Sequence, residues 1–442
     1  MKLQEYPAIG EQVWSGKLPN GLTVFVVPKR GFHKSFAVFA TDYGGADRRF
    51  KLSGKWHDTP EGVAHFLEHK MFDTKDGNAL SVLGANGASP NAFTSTDITA
   101  YYFECIEMFT ENLKTLLSFV SVPWFTPESV EKEQGIIGQE IRMYEDEPEY
   151  CLYFGLLKSL YSHNPLRDSV AGTVESIAEI TAATLYDCHK IFYNPSNMAL
   201  CVTGDVDPAA VFEIARDVLP EEAGEIPERD YGPKESLLPV SASFSKAMEV
   251  SLPMFLAGCK VEAAAKGRDS LRLELVSALA LEMLAGHSSP LYIRLYGQGL
   301  VTDDFSASLE TMAGAAHVVF GGETRDPERV FCEVKGELAR LAGAGADPEL
   351  FGRLKKAMVG SQIRSLNSFD AICENVVTGH FRGYDAFEAA EIVASITMDE
   401  VTAFLSGSLV PDNMAISIIT PNAVCGPQGV RSQESEVRIG RE

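Results

Sequence analysis

The chain has 442 residues, 45% apolar and 22% charged, which suits a soluble globular protein of two or three domain lengths with ample core. Its 61 acidic residues against 38 basic give a net charge of −23. That balance argues against a nucleic-acid binder, which would show a basic patch, and against docking on an anionic membrane surface. No run approaches ~18 uninterrupted apolar residues, so no membrane span is expected. The acidity serves solubility, with attraction for basic peptides as the functional alternative. Eight cysteines are scattered with no C-x-x-C pair, and several lie in apolar runs such as Leu200-Cys201-Val202. They read as reduced thiols of a cytoplasmic protein, and Met1–Pro7 shows no apolar signal core.

In chain order, Val13–Lys17 and Leu22–Val27 flank Pro19-Asn20-Gly21, a strong hairpin signal. Phe36–Thr41 is a further strand. Thr59 and Pro60 are placed to cap and open a helix over the stretch that follows. A short helix near Ala79–Leu83 ends at a Gly/Asn/Pro-rich break, and Asn91–Thr96 and Thr99–Glu104 read as two strands. Leu113, Leu116, Leu117 and Val120 follow helical spacing. Thr126-Pro127-Glu128-Ser129 opens a helix carrying Glu133 and Glu140. Helices are expected at about 149–161, 180–192 and 208–218, with a strand at 197–205.

Residues 220–233 are rich in Pro, Gly and charge and read as a linker. The chain then divides into a unit at 1–220, a linker at 221–242, a second unit at 243–422 and a tail at 423–442 expected to be disordered. The second unit repeats the first. Ile180-Thr181 and Ile396-Thr397 are 216 apart, and the same offset relates Pro195 to Pro411 and Asn197–Leu200 to Asn413–Ile416. A gapless offset over about twenty residues indicates duplication. Strands, then helices, then strands in each copy imply an α+β fold of two homologous sandwich domains.

The chemistry concentrates in Gly62–Phe72, which contains H-x-x-E-H, the inverted form of a zinc-binding motif. His65 and His69 are four apart, so a helix stacks their imidazoles on one face, where they can hold one zinc ion. Glu68 stands beside them, close enough to meet a metal-bound water. A catalytic zinc keeps one position open and wants three protein ligands. Glu133 and Glu140, seven apart and on one helical face, offer a third ligand in Glu140 and an orienting carboxylate behind it. Taken alone, an acidic helix of this kind is more often a solvated face.

The chain resembles the insulinase (pitrilysin, mitochondrial processing peptidase) family of zinc peptidases, closest to a bacterial subgroup. The resemblance rests on the Gly62–Phe72 motif, Glu131–Glu140, Asn91–Ser95, Gly172–Ile177 and Tyr193–Met198, and covers nearly the whole chain. It implies that His65, His69 and Glu140 bind one Zn2+, that Glu68 is the general base and that Glu133 supports them. It implies a four- to six-stranded, mostly antiparallel sheet backed by helices in each copy. It also implies that Asn91, Ala92, Phe93 and Thr94 lie at a sheet edge that pairs with a peptide substrate. The expected activity is hydrolysis of peptides or short unfolded segments; the alternative is a non-catalytic peptide-binding or scaffold subunit.

The second copy lacks the metal motif: its corresponding helix, near Leu271–Leu284, ends at Ala285-Gly286-His287. His287, His317 and His380 read as structural or surface groups. Family members often carry an Arg and a Tyr in this copy that steady the oxyanion. Here those positions fall on Leu295 and Thr302, with Arg294 and Tyr296 as nearby substitutes. The resemblance implies a chamber of about four such domains, so a dimer is expected. A heterodimer with a metal-free relative supplying Arg and Tyr is the preferred form.

Overall fold

The computed structural model describes residues 1–312, 314–345 and 347–422, so the expected tail at 423–442 lies outside the described residues. The hairpin forms where Asn20-Gly21 directs it: Glu11–Lys17 pairs antiparallel with Thr23–Pro28, placing Trp14 opposite Val26. The Asn20 side-chain oxygen accepts the Leu22 N–H at 3.2 Å, closing the turn.

Two mixed sheets share one topology. In spatial order the first runs Thr23–Pro28, Met198–Gly204, Ser35–Thr41, Thr99–Cys105, Ser89–Thr94; its first pair is parallel and the rest antiparallel. The second runs Ser243–Met248, Ala415–Pro421, Met254–Val261, Ala315–Glu323, Ser306–Met312, with the same pattern. The duplication read from the 216-residue offset is thus visible strand for strand. Thr181 and Thr397 each cap a helix by accepting the N–H three residues on. Pro195–Asn197 and Pro411–Asn413 each form a 3-10 turn ahead of a strand. The first sheet has seven strands, more than the expected four to six, because Lys2–Tyr6 and Glu11–Lys17 extend its edge.

Packing crosses between the halves in both directions. Helix Pro148–Leu160 of the first half lies on the second sheet, where Leu156, Leu157 and Leu160 join Val319 and Ala415 in one cluster. Helix Phe369–Arg382 of the second half lies on the first sheet, where Phe369, Ile372, Cys373 and Val376 pack on Val38, Ala40, Ala199 and Cys201. Each sheet therefore has one face covered by the other half, and burying those apolar side chains couples the halves thermodynamically.

Two local readings are corrected. Thr59 and Pro60 do not cap the metal-motif helix, which spans Val63–Met71 with Gly62 at its N-cap. The Thr59 N–H and hydroxyl are taken by the Arg48 carbonyl. Gly62 has φ +91°, and a Cβ there would sit 2.6 Å from the Ala171 carbonyl oxygen, so glycine is required on both counts. The edge strand ends at Thr94, not Thr96, because Ser95 turns the chain, its Oγ accepting the Ile98 N–H at 3.1 Å. The connecting stretch also makes contacts of its own with the first half. Glu228-Arg229 pairs with Phe50-Lys51, and the half-buried Arg229 guanidinium lies 3.0 Å from Asp47 and 3.2 Å from Asp42. The Tyr231 hydroxyl donates to Asp47 at 2.9 Å.

Burial pushes the Asp47 carboxyl up to about 6, although Arg229 pulls against it. Replacing Arg229 by Met leaves two carboxylates without their cation. The expected loss is about 3–5 kcal/mol of stability, measured by chemical denaturation at neutral pH.

Candidate metal centre

Two helices build the centre. Val63–Met71 turns Val63, Ala64, Phe66 and Leu67 into the core, which leaves His65, Glu68 and His69 half-buried on the other side. Pro127–Glu145 starts at a capping box between Thr126 and Ser129, with Pro127 at its first turn, as its sequence dictates. It buries Val130, Ile137 and Ile141 and presents Glu133, Glu140 and Tyr144 along one stripe.

The structure brings His65, His69 and Glu140 together: one ligand atom from each lies within 4.8 Å of the others, and this is the cluster of metal-binding type found among the described residues. His65 Nε2 is 3.7 Å from Glu140 Oε1, and His69 Nε2 is 3.6 Å from Glu140 Oε2. A tetrahedral ion with ligands at 2.0–2.1 Å needs ligand separations of roughly 3.4 Å, so these three groups fit a zinc-sized divalent ion with small adjustment. Imidazole and carboxylate are also the donor types such an ion takes.

The surroundings sort the roles. Glu133 Oε1 lies 3.1 Å from His69 Nδ1, which fixes that ring and turns its Nε2 toward the cluster. The Lys70 ammonium, buried beneath, is 2.5 Å from Asp73 and 3.9 Å from Glu133. His65 Nδ1 is buried with no hydrogen-bond partner among the described residues. Burial, and then the neighbouring His69, hold the His65 imidazole down to about 4, so it is neutral, the form that ligates. For His69 burial acts downward too, but the Glu133 hydrogen bond and the charges of Glu140 and Glu68 outweigh it and raise the pKa. Burial also raises Glu68, opposed by the Thr94 hydrogen bond and His69.

The edge residues separate. Thr94 donates to Glu68 Oε2 at 2.8 Å, so its side chain serves the centre. Phe93 faces the opposite side of the sheet, packing on the cluster that holds helix Phe369–Arg382. Asn91 Oδ1 accepts the Ala92 N–H at 2.9 Å, and Pro90 has no N–H to offer. Sequence reasoning missed Tyr144, whose hydroxyl donates to Glu140 Oε1 at 2.6 Å. Its place four residues after Glu140 on a helix was the available signal. It also missed Lys70 and the Thr94–Glu68 bond. In the second half, Arg294 is paired with Glu333 at 3.2 Å, Tyr296 is exposed and Leu295 is buried. The metal cluster includes none of them. His317 is buried against the first half, its Nδ1 3.0 Å from the Tyr161 hydroxyl.

Two family profiles match the chain: Insulinase (Peptidase family M16) over residues 52–174 and Peptidase M16 inactive domain over residues 179–358. The uncharacterised zinc protease YmfH of Bacillus subtilis is 37% identical, over 95% of this chain and 99% of its own length. The crystal structure of an M16-like protein from Alicyclobacillus acidocaldarius matches with a TM-score of 0.90 at 34% identity, over 95% of this chain and all of that one. Pitrilysin shares the fold at a TM-score of 0.75 and 18% identity, over 95% of this chain but 46% of pitrilysin.

Because only neutral imidazole ligates, zinc affinity is expected to fall as pH falls, His69 being the first ring to protonate. Glu133→Gln should weaken zinc binding by roughly 10–100-fold at pH 8. It should also lower the pH at which affinity begins to fall, since the bond that raises His69 is gone. Competition with a chromophoric chelator across pH measures both.

Proposed function

Because the chain belongs to the insulinase family of zinc peptidases, we propose that it is a zinc-dependent endopeptidase acting on peptides or short unfolded segments, with one zinc per chain. The observation that carries this is the convergence of His65, His69 and Glu140 with the Glu68 carboxylate beside them.

When bound, zinc supplies Lewis acidity and lowers the pKa of its water to roughly 7. The protein supplies the rest. His65, His69 and Glu140 hold the ion. Glu133 keeps His69 in the orientation and tautomer that ligates. Thr94 occupies Glu68 Oε2, so Oε1 is the atom free to take a proton from the attacking water and return it to the leaving amine. Burial brings the Glu68 carboxyl closer to the working pH, which suits a group that must do both. Among the described residues the Ser89–Thr94 strand has one unpaired edge. A substrate in extended form adds to it through Asn91, Ala92, Phe93 and Thr94, displacing the Asn91 side chain from the Ala92 N–H. Such main-chain pairing makes little demand on substrate sequence.

The oxyanion side of the site favours a partner. Leu295 is core and Arg294 is already paired, so this chain's second half is not poised to supply the missing Arg and Tyr. The chain also spans 46% of pitrilysin, so two chains match that domain count. A dimer follows, preferably a heterodimer with a metal-free relative that brings Arg and Tyr. The same missing pair favours a second reading, a peptide-binding subunit that has given up catalysis. The seven described cysteines are unbridged and five of them are buried, which supports a cytoplasmic location.

Incubation of the zinc-loaded protein, with and without its partner, with a mixed peptide pool and mass-spectrometric readout tests the activity. Glu68→Gln should keep its zinc and lose ~10²–10⁴-fold in turnover; near-normal cleavage would remove Glu68 from its role. Sedimentation of the active species should show a dimer, and an active monomer would overturn the shared chamber.

A further inference from the structure

A carboxylate ligand can offer a metal one oxygen or two, and Glu140 stands between both imidazoles, with each oxygen 3.6–3.7 Å from one of them. What decides between the two is its remaining contact. The Tyr144 hydroxyl donates to Oε1 at 2.6 Å, and among the described residues Glu140 Oε2 has no hydrogen-bond donor. Glu140 and Tyr144 are one helical turn apart on the same face, so the bond follows from the helix itself. The phenol ring is held too. It stacks on Tyr150 with centroids 5.6 Å apart and planes at 13°, and Tyr150 packs on Phe154 at 4.6 Å. Both belong to helix Pro148–Leu160, which is anchored on the second sheet.

We infer that Tyr144 is a positioning residue of the metal centre: its hydroxyl occupies Glu140 Oε1 and leaves Oε2 as the single oxygen offered to the ion. This rests on the zinc reading above. A two-oxygen Glu140 would add a fifth ligand and crowd the coordination position that a catalytic centre keeps for its reacting molecule. A phenol proton on Oε1 also withdraws charge from the carboxylate, which keeps the ion a stronger Lewis acid. The brace through Tyr150 and Phe154 ties this ligand's orientation to the packing between the two halves.

Tyr144→Phe keeps the ring and its stacking and removes only the donor. The full-length protein is loaded with Co2+ in place of zinc, and its visible absorption reports coordination number. The wild type should show the intense bands of a four-coordinate ion and Tyr144→Phe the weaker bands of a five-coordinate one. Zinc affinity should be retained or tightened while peptide turnover falls by roughly 10–100-fold. General damage to the site would instead weaken zinc. Identical Co2+ spectra in the two proteins, or a Tyr144→Phe variant that loses zinc affinity, would overturn the assignment. Wild-type protein that takes up neither Co2+ nor zinc would overturn the metal reading and this inference with it.

Discussion

The centre is built on an electrostatic demand. Glu68, Glu133 and Glu140 share one half-buried pocket with His65 and His69. Three carboxylates so placed repel one another, and withdrawing them from water costs free energy unless cations answer them. Lys70 answers Glu133 from beneath, and the His69 pKa rises because the surrounding carboxylates favour its charged form. The His65, His69 and Glu140 side-chain atoms converge on the remaining space, where a divalent ion would relieve the same repulsion. Metal affinity and pocket geometry are in this sense one property.

Holding five such groups around one point requires a frame that does not yield. Here the frame is the reciprocal covering of the two sheets, with helix Pro148–Leu160 on the second and helix Phe369–Arg382 on the first. Arg229 adds a charged fastening between the connecting stretch and the first half. The second copy is thereby part of the scaffold of the copy that carries the His65, His69 and Glu140 cluster. Duplication supplied two similar sheets; the exchange of helices made them one packed body.

Much of the centre was legible in the chain because helical geometry is local. The 3.6-residue period alone puts His65 and His69 together and aligns Glu133 with Glu140. Hydrogen bonds between neighbours made the Asn20-Gly21 hairpin and the Thr126 capping box readable, and the 216-residue offset survives as matched caps, turns and strands. Where local reading failed, a distant group had intervened. Thr59 looks like a cap but is claimed by Arg48, and Gly62 starts the helix because Ala171 leaves no room for a Cβ. The 220–233 stretch has a linker's composition, yet Arg229 finds Asp42 and Asp47, residues about 180 positions away.

The sequence by itself determined which side chains each helix presents, since that depends only on spacing. The tertiary structure decided which helices meet. It set Glu140 between the two imidazoles, Thr94 against Glu68, Phe93 on the far face, and each half's helix on the other half's sheet. Those contacts join residues from 26 to more than 150 positions apart. They are chosen by the burial of apolar faces and the pairing of charges across the whole fold, which spacing along the chain does not encode.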